Sequence, residues 1–267
     1  MKNLFYLCCF SILTAFSSAS IAAEKPLRIG TECTYPPFTY RDVDGVIQGF
    51  DVDIAREVAN RIGRTAEFVC NPFASSIPSL QARKFDILFT ALSVTDERLK
   101  TVNFSLPYRS STARFAAPIT LNIELFDQNG KPNPSALKGK IVGLQRSSTY
   151  DRYVKENFPG VEVRRYDTVN NMILDMKANR VDLVIGGPVN LWSTLLENDT
   201  EHAYQFIGPE IDRPDYFGIG IAAAMRKNDT QLLENVNNAL NAMYQDGTFK
   251  QINQKYWSFT VLPSVWQ

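Results

Sequence analysis

"SIPSLQARKFDILFTA" (residues 76–91) and "MILDMKANRVDLVIGG" (residues 172–187) are written in one order: a helical stretch, a basic residue, an apolar residue, an aspartate, then a short apolar run. The mixed polar and apolar half predicts an amphipathic helix, and the apolar run predicts a buried strand. Each stretch follows a strand-like segment at a similar interval, "AEFVC" (66–70) and "VEVRRY" (161–166). Each has a further strand candidate upstream, "PLRIGTEC" (26–33) and "GKIVGLQ" (139–145). The chain therefore reads as β-α-β-α-β twice, which predicts an α/β fold of two parallel, right-handed, doubly wound sheets.

A single long sheet is the plainer alternative. Against it, residues 118–140, "PITLNIELFDQNGKPNPSALKGK", are rich in Pro, Asn and Gly and restart the strand-helix order. In the first unit, "FDVDIAREVANRIG" (50–63) places Ile54, Ala55, Val58, Ala59 and Ile62 on one helical face, with Gly63 as a stop. Later, "RPDYFGIGIAAAMRKND" (213–229) carries a Gly-spaced strand with no helix partner in the second unit, and reads as a crossing back to the first. The stretch 232–257 supplies two more helices broken at Asp246-Gly247. Lobe one is expected at about residues 24–111 plus 218–267 and lobe two at about 112–217. Two connections between lobes make a hinge.

In open α/β sheets, ligands bind outside the carboxyl ends of the strands. Two facing lobes would line a cleft with "TECTY", "CNPF", "TALS", "QRSST" and "GGPVN". Arg98, in the first turn of a short helix that Thr95 can cap, stands close to one such strand end, where its fork and backbone N–H groups could meet an anion. Pairing with Asp96 or Glu97 on a solvated surface is the competing reading.

The N-terminus "MKNLFYLCCFSILTAFSSASIAAEKP" has one basic residue, a short apolar core and small residues, the pattern of a secretory signal peptide over residues 1–23, cleaved after Ala22 or Ala23. Cys8 stands too near the start for a lipid anchor. Roughly 240 residues remain, enough for one large domain or two lobes. The 28 basic and 28 acidic residues balance and no basic stripe is visible, which argues against a nucleic-acid partner, and no long apolar run remains after the leader to span a membrane. Two cysteines remain, Cys33 and Cys70, each at a predicted strand end in an oxidising compartment. Two thiols without histidines make a poor metal site, so one structural disulfide is the better reading. No metal and no cofactor is expected.

"RIGTECTYPPF", "GFDVDIAREVANRI", "IPSLQARKFDILFTALSVTDER", "NFSLPY", "LKGKIVGLQRSST" and "QDGTFKQINQKYW" together resemble the periplasmic solute-binding proteins of polar amino-acid ABC transporters, the lysine/arginine/ornithine- and histidine-binding type. The likeness covers essentially the whole chain after the leader. It implies a monomeric two-lobed clamp, a type II periplasmic binding protein with a two-stranded hinge, that closes on an amino acid and docks on a membrane permease, without catalysis. By the same resemblance Arg98 holds the ligand α-carboxylate, with Thr90, Ala91 and Ser93 nearby; Ala91 replaces a common serine. Ser147, Ser148 and Thr149 meet the carboxylate from the opposite lobe. Tyr35 and Phe73 sandwich the ligand side chain. Glu32 and Asp51 lie at its far end, which would favour a cationic amino acid such as arginine, lysine or ornithine.

Two positions depart from the family pattern. Gly187 stands where relatives place an aspartate for the α-ammonium, unless Asn190 or another acid is brought into reach. A buried ammonium without a carboxylate costs several kcal/mol. Either Glu32 or Asp51 takes over, or the ligand is a carboxylate without a standard α-amine. Arg146 replaces a common glycine and is expected to point to water. A periplasmic cyclohexadienyl dehydratase-like enzyme on the same scaffold is the rival, with Glu32 or Asp51 as proton donor. His202, in the polar "ENDTEHAY", reads as surface. A chemosensory ligand-binding domain is a third reading, for which no membrane span follows the leader.

Overall fold

The computed structural model describes residues 25–263, so the leader with its cleavage point and Cys8 lies outside the described residues. Two five-stranded sheets and a small three-stranded one make up the β structure. In the first sheet Leu27–Thr31 pairs in parallel with Ala66–Cys70 on one side and Ile87–Leu88 on the other. In the second, Ile141–Gln145 stands in the same way between Glu162–Tyr166 and Leu183–Gly186. These two parallel trios are the repeated unit read from the sequence.

The expectation of purely parallel sheets needs correction, because each trio is extended by antiparallel strands. Ala224–Arg226 runs antiparallel between Ile87–Leu88 and Val102–Phe104. Ala113–Pro118 runs antiparallel between Leu183–Gly186 and Tyr204–Ile211. The cause is the route of the chain. A strand entering from the other sheet has no helical crossover to reverse it, so it arrives in the opposite sense. The two crossing segments lie side by side: Ala113 pairs with Ile211, and Arg109 bridges Ile221. A third segment joins them, since Ser110 N donates to Val261 O at 2.8 Å.

Helix formation follows the apolar spacing. Phe50–Arg61 buries Phe50, Ile54, Ala55, Val58 and Ala59, each worth up to a few kcal/mol of transfer free energy. Its entry is fixed by Gly49, whose φ of 128° suits glycine and whose position leaves only 2.2 Å between a Cβ there and Phe38 O. That close approach lets Asp51 N donate to Phe38 O at 2.9 Å and turns the Asp51 carboxylate inward. Thr230–Gln245 and Thr248–Tyr256 are the two terminal helices, separated at Asp246-Gly247 as expected. The small sheet of Thr34–Tyr35, Thr39–Arg41 and Ile47–Gln48 was not foreseen; its signal is the turn at Asp44-Gly45.

Cys33 and Cys70 are bonded, with their Cα atoms 5.6 Å apart and a sequence separation of 37. On the chain-entropy model, closing a loop of that length stabilises the fold by about 4 kcal/mol. The bridge ties the start of the small sheet to the end of Ala66–Cys70, two of the strand ends nominated for the cleft.

Candidate functional site

The carboxyl ends of the two sheets meet, and side-chain hydrogen bonds join them, including one between the Tyr35 and Tyr150 hydroxyls. Arg98 Nη2 donates to Ser147 O at 3.2 Å, Gln145 Nε2 to Glu32 Oε1 at 2.8 Å, and Asn190 Nδ2 to Pro36 O at 2.5 Å. The lobes are therefore closed on each other. Two cavities of about 640 and 570 Å³ remain at this meeting.

Arg98 is held by the short helix Asp96–Leu99, whose cap Thr95 accepts from Arg98 N at 3.3 Å. Its guanidinium turns away from its acidic neighbours: Nη1 donates to Ser93 O at 3.0 Å, and no ion pair to Asp96 or Glu97 forms among the described residues. Burial brings its pKa down to about 10, against the weaker pull of the Glu97 charge. A guanidinium that gives its donors to carbonyls and is destabilised by burial will gain from an arriving carboxylate. The Phe73 ring lies 5.8 Å from it. Ser147, Ser148 and Thr149 line the same cavity, at the start of the helix Tyr150–Asn157. Ser148 Oγ is buried without a partner among the described residues, and Ser147 takes the left-handed φ of 62° that aims its carbonyl at Arg98.

Tyr35, Ala91, Ser93 and Gly187 line the other cavity. Tyr35 and Phe73 line different cavities. Thr90 is fully buried, its hydroxyl unpartnered among the described residues. Ser93 Oγ is 3.0 Å from Ser111 Oγ. Gly187 brings no acid: a Cβ there would lie 3.1 Å from the Tyr35 hydroxyl and 3.5 Å from that of Tyr150. Asn190 is fully buried and spends its amide on Pro36, so it supplies no carboxylate. Arg146 is exposed and paired with Asp167 at 2.8 Å, and His202 is exposed, both as expected.

The two acids have different surroundings. Glu32 is 5% exposed, and its Oε1 accepts from Thr34 Oγ1 at 3.1 Å as well as from Gln145. Burial pushes its carboxyl up to about 7, although both hydrogen bonds favour the charged form. Asp51 is fully buried, and its Oδ2 accepts from Tyr108 Oη at 3.0 Å and Ala91 N at 3.1 Å. Its Oδ1 takes Arg109 Nε at 3.1 Å. The expectation that Asp51 faces the far end of the ligand side chain is therefore not met here. A buried carboxylate must be paired, and Arg109 pairs it. The sequence reading missed Arg109, Tyr150 and the cross-lobe role of Gln145. Gln145 opened the nominated "QRSST", but Arg109 follows "NFSLPY" with no periodic or motif signal of its own.

Glu32 makes stability depend on pH in a definite sense. Its folded pKa of about 7 lies above the ordinary 4.5, so its contribution is full below about pH 4.5 and is lost as pH rises through 7. The shift corresponds to about 3 kcal/mol. The protein alone is expected to melt lower at pH 8 than at pH 5, with Glu32→Gln removing most of the difference. A Glu32→Gln melting profile as steep as that of the parent would refute the assignment.

Comparison with known proteins agrees with this arrangement. The model of the bacterial extracellular solute-binding proteins, family 3, matches residues 27–259. The L-arginine-binding protein of Pseudomonas aeruginosa is 37% identical over 255 residues, covering 94% of this chain and 95% of the relative. The histidine-binding periplasmic protein of Salmonella typhimurium is 32% identical over 256 residues, covering 94% and 96%. Among solved structures, an ancestral arginine-binding protein bound to arginine superposes with a TM-score of 0.78 at 32% identity, over 87% of this chain and 98% of that one. An ancestral amino-acid-binding protein described as a precursor of cyclohexadienyl dehydratase reaches 0.71 at 28% identity, over 87% and 96%. Sequence, fold and relatives agree, and the chain belongs to family 3 of the bacterial extracellular solute-binding proteins.

Proposed function

We propose that the chain is the extracytoplasmic binding component of an amino-acid ABC transporter, which closes on one polar amino acid and delivers it to a membrane permease. The observation that carries this reading is Arg98, a half-buried guanidinium without a carboxylate partner among the described residues, facing a helix start on the opposite lobe. Carboxylate recognition by an arginine fork and helix N–H groups follows from that geometry. Glu32, Thr90, Ser93, Ser147, Ser148, Thr149, Tyr35 and Phe73 form the rest of the proposed site. The two sheets favour lobes at residues 24–111 plus 218–267 and 112–217, with the paired crossings as the hinge. Residues 1–23 act as the export leader, and the mature chain works as a periplasmic monomer. No helix among the described residues is long and apolar enough to cross a membrane.

Binding without catalysis is favoured over the dehydratase alternative. Asp51, one of the two candidate donors, spends both oxygens on Arg109, Tyr108 and Ala91 and is not available, which leaves Glu32 as the donor an enzyme would need. A thermal-shift screen of the amino acids tests the proposal. A ligand of the closed form raises stability by about 2.7 kcal/mol at a hundredfold excess over Kd, so a dose-dependent rise in melting temperature is expected for at least one polar amino acid. No shift with any of them, or turnover of prephenate or arogenate, overturns it.

A further inference from the structure

Arg109 is buried, with 7% of its surface exposed, yet it lines the 570 Å³ cavity beside Tyr35, Ser93, Tyr150 and Gly187. Its Nε and Nη2 reach Asp51 at 3.1 and 3.5 Å, and its guanidinium lies 3.8 Å above the Phe38 ring. The remaining nitrogen, Nη1, makes no hydrogen bond among the described residues. The Asp51 carboxylate already accepts from Arg109, Tyr108 and Ala91, so no capacity is left for a cation from the ligand. Glu32 accepts from Thr34 and Gln145 through Oε1, and it does not line this cavity. What the inner end of the cavity offers is Arg109 Nη1 and the Tyr35–Tyr150 hydroxyl pair, which share one hydrogen bond and leave one O–H to donate. Carboxylates in this cavity, Glu197 and Glu210, sit exposed at its outer mouth, and Glu210 accepts from Thr112 at 2.6 Å.

The two arginines approach the same stretch of chain from the two cavities: Arg98 Nη1 donates to Ser93 O at 3.0 Å, and Ser93 lines the cavity of Arg109. Burial pushes the Tyr150 hydroxyl up to about 12, and the positive charges of Arg109 and Arg98 both pull it the other way. An ammonium or guanidinium seated beside these hydroxyls would meet a like charge without a free acid to offset it, which costs several kcal/mol in a desolvated site. An oxygen acceptor would complete the donors instead.

We infer that the second polar end of this chain's ligand is an oxygen acceptor, a carboxylate or carboxamide, held by Arg109, and not an ammonium or guanidinium. Arg109 is thereby a specificity-determining residue, acting both as a donor and as the group that closes Asp51 to cations. The inference rests on the chain being a solute-binding protein with Arg98 at the carboxylate, and it differs from the named ligands of its relatives at one end only.

Isothermal titration of the full mature protein with glutamate, glutamine, arginine and lysine tests it. Glutamate or glutamine is expected to bind at least tenfold tighter than arginine and lysine. In Arg109→Met, which leaves Asp51 free, the ranking is expected to reverse in favour of a cationic ligand. Tighter binding of arginine or lysine by the unaltered protein overturns the inference while leaving the binding function standing. An unchanged ranking in folded Arg109→Met overturns the role of Arg109. Should that variant not fold, the ranking in the unaltered protein decides. Absence of binding by any amino acid overturns the functional reading and this one with it.

Discussion

Arg98→Ala is expected to weaken ligand binding by two to three orders of magnitude or more, with the melting temperature of the protein alone nearly unchanged. Removing one partner of a desolvated, hydrogen-bonded charge pair costs about 2–5 kcal/mol, and each 1.4 kcal/mol is tenfold in affinity. The fold has little stake in this side chain. Its partners are two carbonyl oxygens and the Phe73 ring, and none of them is an acid left uncompensated by its loss. Arg98→Lys keeps the charge but not the two-pronged fork, so it should recover only part of the affinity. Calorimetric titration of both variants against the best ligand checks the expectation. Affinity in Arg98→Ala within fivefold of the parent would remove Arg98 from the carboxylate site.

The largest effect on stability is expected at Asp51 and Arg109. Both are buried and joined by direct hydrogen bonds, so replacing one alone leaves an uncompensated charge in the interior. Asp51→Asn and Arg109→Met should each cost about 3–5 kcal/mol. The double replacement removes both charges, and its cost should fall short of the sum by about 2 kcal/mol or more. Urea unfolding of the four proteins measures this coupling. Simple additivity would mean that the pair is solvated and does not depend on its partner.

How far the sequence discloses this molecule can be judged from particular residues. The repeated helix-Asp-strand order in residues 76–91 and 172–187 located both parallel trios, because period and composition are local properties. The antiparallel sense of Ala113–Pro118 and Ala224–Arg226 was not legible, since it depends on where the chain crosses between sheets. Arg98 was legible because its cap, Thr95, lies three residues away. Arg109 was not: its partner Asp51 is 58 residues distant, and nothing near either residue announces the other. The same holds for Tyr35 and Tyr150, whose hydroxyls meet beside Gly187 from two different lobes. Capping and periodicity are written within a turn or two of chain, whereas charge compensation across a closed cleft is written in tertiary contacts alone.

The strand Ala224–Arg226 lies inside the first sheet, not at its margin, between Ile87–Leu88 and Val102–Phe104. In a chain made from its N-terminus, the first sheet lacks this inner strand until residue 226 has emerged, although its other four strands are finished by residue 104. The second sheet draws every strand from residues 113–211 and has no such debt to later sequence. Loop closure over the longer span is slower. The order of assembly is thereby inverted relative to the order of synthesis: the half that is made first must wait for the half that is made second.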